Sequence, residues 1–244
     1  MEKILELVNF SASADKHEII SDISFSINKG ETVALLGPNG AGKSTIAAAI
    51  SGNPNYKTKG QIIYDGKDIS KLSADKRAKL GIFCSMQNPT EIPGISTVET
   101  LRIALEAKGQ KLALPAVKVL ISEACEKLKL SPFFAKRELN VGLSGGEKKY
   151  NEMLQLLILK PDFIILDELD SGLDVDASDT ISRELANYQK ESDATILVIT
   201  HNFRILDKLK VDKTIILNHG KLAEIGDKKL LQKIQEKGFC NYEN

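Results

Sequence analysis

Thr32-Val33-Ala34-Leu35-Leu36-Gly37-Pro38-Asn39-Gly40-Ala41-Gly42-Lys43-Ser44-Thr45 opens on a short continuous apolar run and closes on a glycine-rich loop. An apolar run of this length suits a strand buried on both faces, as in a parallel sheet. The eight residues from Gly37 to Ser44 fit the pattern GxxxxGK[ST], and a helix is expected from Lys43 to about Ile50. Four fixed positions match by chance in about one chain in a hundred, so the strand before and the helix after carry the reading. Glycines let successive backbone N–H groups turn inward on a phosphate chain, and the helix N-terminus adds its partial positive charge. Gly37, Pro38, Asn39, Gly40, Ala41, Gly42, Lys43, Ser44 and Thr45 are therefore the candidate phosphate-binding residues. Lys43 would reach the β- and γ-phosphates, the Ser44 hydroxyl would ligate Mg2+, and Thr45 would add a further contact.

A second apolar run, Phe163-Ile164-Ile165-Leu166, ends in Asp167-Glu168. Ligands of parallel sheets collect at the carboxyl ends of strands, so both acids are expected to face the same crevice as the glycine loop. Asp167 would hold Mg2+ through water, and Glu168 would orient and deprotonate an attacking water. Alone, the pair reads equally well as a solvated acidic turn.

Outward from these two stretches, β-rich segments at Ile4 to Phe10, Ile19 to Ile27 and Gln61 to Tyr64 predict an antiparallel sheet, and Gly81 to Met86 predicts a further strand. Residues 89–160 carry helical periodicity, with helices expected at Val98 to Ala107, Val117 to Leu130 and Gly145 to Leu159. The chain then returns to strand and helix: Phe163 to Leu166, Ala177 to Tyr188, Thr195 to Thr200, and a hairpin around Asn218-His219-Gly220. This order predicts an α/β fold: a mostly parallel sheet flanked by an antiparallel sheet. Residues 1–88 and 161–244 would form the core, with a helical subdomain inserted at 89–160.

The 244 residues hold 42% hydrophobic and 27% charged side chains, as ordinary globular chains do. Lys+Arg and Asp+Glu are both 33, so no net positive field gathers nucleic acid or anionic lipid. No apolar stretch approaches the roughly 20 residues of a membrane-spanning helix, which leaves a peripheral role at most. The acidic, strand-like N-terminus lacks the form of a secretory signal, and a cytoplasmic location is the expectation. Cys84, Cys125 and Cys240 form no CxxC pair and are expected to be reduced thiols, the first two buried.

Leu143-Ser144-Gly145-Gly146-Glu147 is the deciding third motif. Its Ser-x-x-Glu is a capping box for the helix that follows. Two glycines in a first turn cost that helix roughly 1 kcal/mol each relative to alanine, and they make sense where N–H groups must approach a phosphate. One chain already has its own phosphate loop. A second anion-binding helix tip implies a nucleotide shared between two subunits.

These motifs together resemble the ATP-binding-cassette ATPases, with ATP and Mg2+ as the implied cofactors. The resemblance assigns Gln87 as the glutamine that senses Mg2+ and couples to partners, and His201 as the switch histidine at the γ-phosphate. Without it, a lone histidine at a strand end reads as structural. Ser171-Gly172-Leu173-Asp174 matches the loop that crosses the pair interface. Ser144, Gly145, Gly146 and Asp174 would thus act in trans, in a second copy of the chain docked head to tail. Lys43, Gln87, Glu168 and His201 would be catalytic, and Ser44, Gln87 and Asp167 would serve the metal.

Within that family the chain is similar to the SufC-type ATPases of iron–sulfur cluster assembly. Three stretches carry the similarity: Ser51 to Tyr56, Gln87 to Ser96, and Asp167-Glu168-Leu169-Asp170-Ser171-Gly172-Leu173-Asp174-Val175-Asp176-Ala177. Transport cassettes usually place Pro-Thr where Leu169-Asp170 stands. The implied partners are the scaffold proteins SufB and SufD, bound near Gln87 and Glu91 to Arg102. Two other classes compete: the nucleotide-binding subunit of a membrane transporter, which shares every catalytic motif, and an ATP-gated module that closes without turnover. Glu168 argues against the last. Many family members stack adenine on an aromatic residue, but Ala14 stands at that register, so weak nucleotide binding by the single subunit is expected.

Overall fold

A computed structural model describes residues 2–15, 17–169, 172–201, 203–239 and 242. Its central sheet has six strands in the order β12-β11-β3-β10-β9-β6. These are β3 (Thr32–Leu36), β6 (Ile82–Ser85), β9 (Phe163–Asp167), β10 (Thr195–Ile199), β11 (Lys213–Asn218) and β12 (Lys221–Gly226). All neighbours pair in parallel except β11 and β12, the hairpin expected at Asn218-His219-Gly220.

Every residue of β3, β9 and β10 is buried, because both faces of the sheet are covered. Successive side chains of a strand point to opposite faces. Val33, Leu35, Ile165, Leu197 and Ile199 accordingly join one apolar cluster, while Ala34, Leu36, Ile164, Leu166 and Val198 join the other.

The first cluster lies under an antiparallel sheet of order β2-β1-β4-β5, built from β1 (Lys3–Ala14), β2 (His17–Asn28), β4 (Lys57–Tyr64) and β5 (Lys67–Asp68). In β2 the buried Ile23, Phe25 and Ile27 alternate with more exposed neighbours, the period-two pattern of a strand with one wet face. Helix α1 (Lys43–Ser51) sends Ile46 and Ile50 into this cluster. The buried Arg77 of α2 (Ala74–Lys79) caps its far end, its Nη1 donating to the carbonyls of Ala49 and Ile50 at 2.8 and 2.9 Å.

Helices cover the opposite face: α3 (Thr97–Ala107), α4 (Leu114–Lys127), α5 (Gly145–Leu159), α6 (Val175–Ser192), α7 (Phe203–Lys208) and α8 (Lys228–Lys237). Helix α6 begins at Val175, two residues ahead of expectation, because Asp174 caps it through a 2.8 Å bond from the Ala177 N–H. Residues 89–160 are not purely helical. Strand β7 (Ile92–Ser96) pairs with β8 (Glu138–Leu139), where Pro93 and Gly94, the latter at φ +83°, interrupt a helix. Cys125 is buried as expected, Cys84 is only half-buried, and Cys240 lies outside the described residues. Among the described residues no helix is long and apolar enough to cross a membrane.

Candidate functional site

Strand register assembles the site. Ile199 lies beside both Leu35 and Asp167, and Ser85 beside Leu166. The residues that leave these four strands, Gly37, Glu168, His201 and Gln87, therefore emerge along one edge of the sheet. There Gln87, Glu168 and His201 border a cleft of about 440 Å³, together with Asn39, Gly40 and Gly42 to Thr45.

The glycine loop is built for close approach. Gly42 sits at φ +97°, where a Cβ would lie 2.4 Å from Cδ1 of Ile20, and a Cβ on Gly37 would lie 2.2 Å from the Leu217 carbonyl oxygen. No side chain caps the first turn of α1, so its N–H groups remain available to an anion. The buried Lys43 ammonium donates to the carbonyls of Gly37 and Pro38 at 2.9 and 3.0 Å. Burial lowers its pKa, against the pull of the Glu168 and Asp167 charges.

The Ser44 hydroxyl donates to Asp167 at 3.1 Å. Burial raises the Asp167 carboxyl, with the neighbouring Glu168 charge adding to it and the Ser44 bond working against it. A hydroxyl and a carboxylate side by side, open to a phosphate cradle, form a hard-oxygen set that fits Mg2+, which takes few protein ligands and relies on phosphates for the rest.

Glu168 stands at φ +52°, a left-handed backbone that costs a non-glycine residue on the order of 1 kcal/mol or more. A 2.9 Å bond from its N–H to the Ile199 carbonyl holds the kink. Gln87 Nε2 donates to its carboxylate at 2.7 Å, and His201 Nε2 lies 3.6 Å from the other oxygen. Gln87 and His201 thus converge on the carboxylate of Glu168.

Eight predicted residues are not among those lining this cleft: Gly37, Pro38, Ala41 and Asp167, the last bonded to Ser44, which does line it, and Ser144, Gly145, Gly146 and Asp174. Ser144 is the N-cap of α5, in a full capping box with Glu147. A Cβ on Gly145 would meet nothing within 4 Å, and one on Gly146 would meet Leu173 Cδ2 only at 3.5 Å. The chain's own packing therefore gives Gly145 no reason to be glycine. Asp174 caps α6; Asp170 and Ser171 lie outside the described residues.

Sequence reasoning missed three features. Ile19 forms an apolar part of the cleft, with no chemical signature to announce it. The buried Ser85 hydroxyl accepts from the Asp167 N–H at 3.2 Å. Lys149 and Glu152 form a buried ion pair on α5, which no signal in the sequence marks, since charges three apart on a helix ordinarily face water.

Residues 20–171 match the family model described as ABC transporter. The chain therefore belongs to the ABC transporter family, as an ATP-binding-cassette ATPase that binds adenine nucleotide. It is 43% identical to the "Probable ATP-dependent transporter slr0075" of Synechocystis sp., over 98% of this chain and 95% of the relative. It is 42% identical to a "Probable ABC transporter ATP-binding protein" of Streptococcus pyogenes serotype M18, over 97% and 94%. "Vegetative protein 296" of Bacillus subtilis is 38% identical over 96% and 91%. In fold, the chain matches the dimeric ATP-binding cassette MJ0796 in a post-hydrolysis state bound to ADP and Pi, with a TM-score of 0.80 at 22% identity over 92% of this chain and 98% of that one.

Proposed function

We propose that two copies of this chain close head to tail on two ATP molecules and hydrolyse them, and that the closing movement drives a partner protein. The observation that carries this reading is the division of the motifs. Lys43, Ser44, Gln87, Glu168 and His201 border one cleft, with Asp167 bonded to Ser44, while the Ser144 helix tip is not part of its lining and has open space at Gly145. In this reading Lys43 and the loop from Gly37 to Thr45 bind the triphosphate, and Ser44, Gln87 and Asp167 serve Mg2+. Glu168 activates water, and His201 contacts the γ-phosphate. Ser144, Gly145, Gly146 and Asp174 of the second copy complete the site. The fold relative MJ0796, dimeric with ADP and Pi, supports a paired state. Lys43→Ala tests the cradle: nucleotide binding should be lost with the charge-assisted phosphate contact, and unchanged binding would refute the reading.

For the partner, the residues of this chain favour the SufB–SufD scaffold, through the SufC-like stretch from Asp167 to Ala177 with Leu169-Asp170 in place of Pro-Thr. The relatives' printed names favour the second reading, a transporter's nucleotide-binding subunit, more than they favour the scaffold. A pull-down from native cells separates the two. Soluble scaffold proteins would support the first, and a membrane-spanning partner would establish the second and remove the first.

A further inference from the structure

Helix α5 grips the backbone just ahead of Gln87. Glu152 accepts the Met86 N–H at 2.6 Å, Lys149 Nζ donates to the Met86 carbonyl at 2.6 Å, and the two side chains meet each other at 3.2 Å. Both are almost fully buried, at 3% and 7% exposure. A buried ion pair is expensive to desolvate, and apolar residues of similar size would usually stabilise a core as well or better. What this pair gains is both polar groups of one residue's backbone. The neighbours of that residue reach the paired acids at the end of β9: Ser85 accepts from the Asp167 N–H at 3.2 Å, and Gln87 donates to Glu168 at 2.7 Å.

The same helix holds the segment further on. Asn151 donates to Asn140, whose own amide donates to the Thr90 carbonyl at 2.9 Å, and Lys148 pairs with Glu91 at 2.7 Å. Ser144, the cap of α5, lies five residues before Lys149, about 7.5 Å along the axis at the rise of an α-helix.

We propose that Lys149 and Glu152 are positioning residues that clamp the Met86 backbone and so lock Gln87, and through it Glu168, to the helix that presents Ser144 to the second copy. The proposal rests on the shared-site reading above. Closure on the opposing phosphate then moves Ser144 and Gln87 as one body, and water activation is tied to pairing.

The test is steady-state ATP turnover by the full chain in Glu152→Leu, Gln87→Ala and the double variant, with circular dichroism and ATP binding by the single subunit as controls. Glu152→Leu should fold, bind ATP with unchanged affinity, leave KM within about twofold and lower kcat by roughly ten- to a hundredfold, the scale of a misplaced catalytic group. Adding Gln87→Ala should cost little more, since the clamp acts through Gln87. A folded Glu152→Leu with normal kcat, or losses that multiply in the double variant, would overturn the proposal. Should Glu152→Leu not fold, hydrogen exchange of the unaltered protein decides: the Met86 amide should be strongly protected, and exchange at the rate of a free loop amide would overturn the clamp. Lys43→Ala keeps the outcomes apart, because its binding defect reports on the cradle alone.

Discussion

The Gln87 side-chain amide and the Glu168 carboxylate are joined by a 2.7 Å hydrogen bond across the mouth of the cleft. A donor held on that oxygen, with His201 beside the other, fixes the carboxylate where a water attacking a phosphate could be deprotonated. Glu168→Gln should preserve ATP binding, because Lys43 and the loop are untouched. It should lower turnover by about 10²- to 10⁴-fold, the usual worth of a positioned base, and trap an ATP-dependent pair by size-exclusion chromatography. Normal turnover in this variant would remove Glu168 from the role.

Gly145→Ala separates stability from function. Nothing lies within 4 Å of the added methyl group, so the substitution should raise helix stability by up to about 1 kcal/mol. If the glycine exists for the approach of a second molecule, the same change should weaken ATP-dependent pairing and slow turnover. A thermal melt and a turnover assay on one sample check both, and a more stable variant with unaltered pairing would count against the shared site.

Ile19 supplies apolar surface to the cleft, whereas Ala14 is not among its lining residues. We expect Ile19→Ser to weaken ATP binding by the single subunit about tenfold, on the scale of roughly 1.5 kcal/mol for burying a branched apolar side chain. Inorganic triphosphate should bind equally well to both proteins if Ile19 serves the base. Equal losses for ATP and triphosphate would contradict that role.

Glu31 provides a pH-dependent brace between the two sheets. Burial pushes its carboxyl up, but the Asn28 backbone N–H, the Lys213 ammonium and the Asn28 amide outweigh it and hold the pKa below the ordinary 4.5. A lowered folded value means the contribution is whole above 4.5 and fades as pH falls through the folded pKa. Thermal melts of the parent and Glu31→Gln should therefore differ at neutral pH and converge in acid below that value. A constant gap across the range would show that the carboxylate charge contributes nothing.

Legibility in the sequence followed physical contrast. The bounds of β3 and the start of α1 could be read directly, because a wholly apolar strand gives way to glycines with positive φ and then to a helix. Helix α2, six residues long, holds fewer than two turns and shows no period. Strands β7 and β8 were hidden in a helical stretch because their pairing depends on contacts between residues far apart in sequence. At the cleft, contiguous motifs announced Lys43, Asp167 and Glu168, and the capping box announced Ser144 at the start of α5. Lys149 and Glu152 did not, since charges on a helix ordinarily face water and only the packing turns this pair inward.

The most direct test is the structure of the Glu168→Gln pair closed on ATP and Mg2+. The account predicts each γ-phosphate held by Lys43 of one copy, with the Ser144 hydroxyl of the other within about 3 Å of a phosphoryl oxygen. A pair in which each nucleotide is enclosed by a single chain, with Ser144 directed elsewhere, would contradict it.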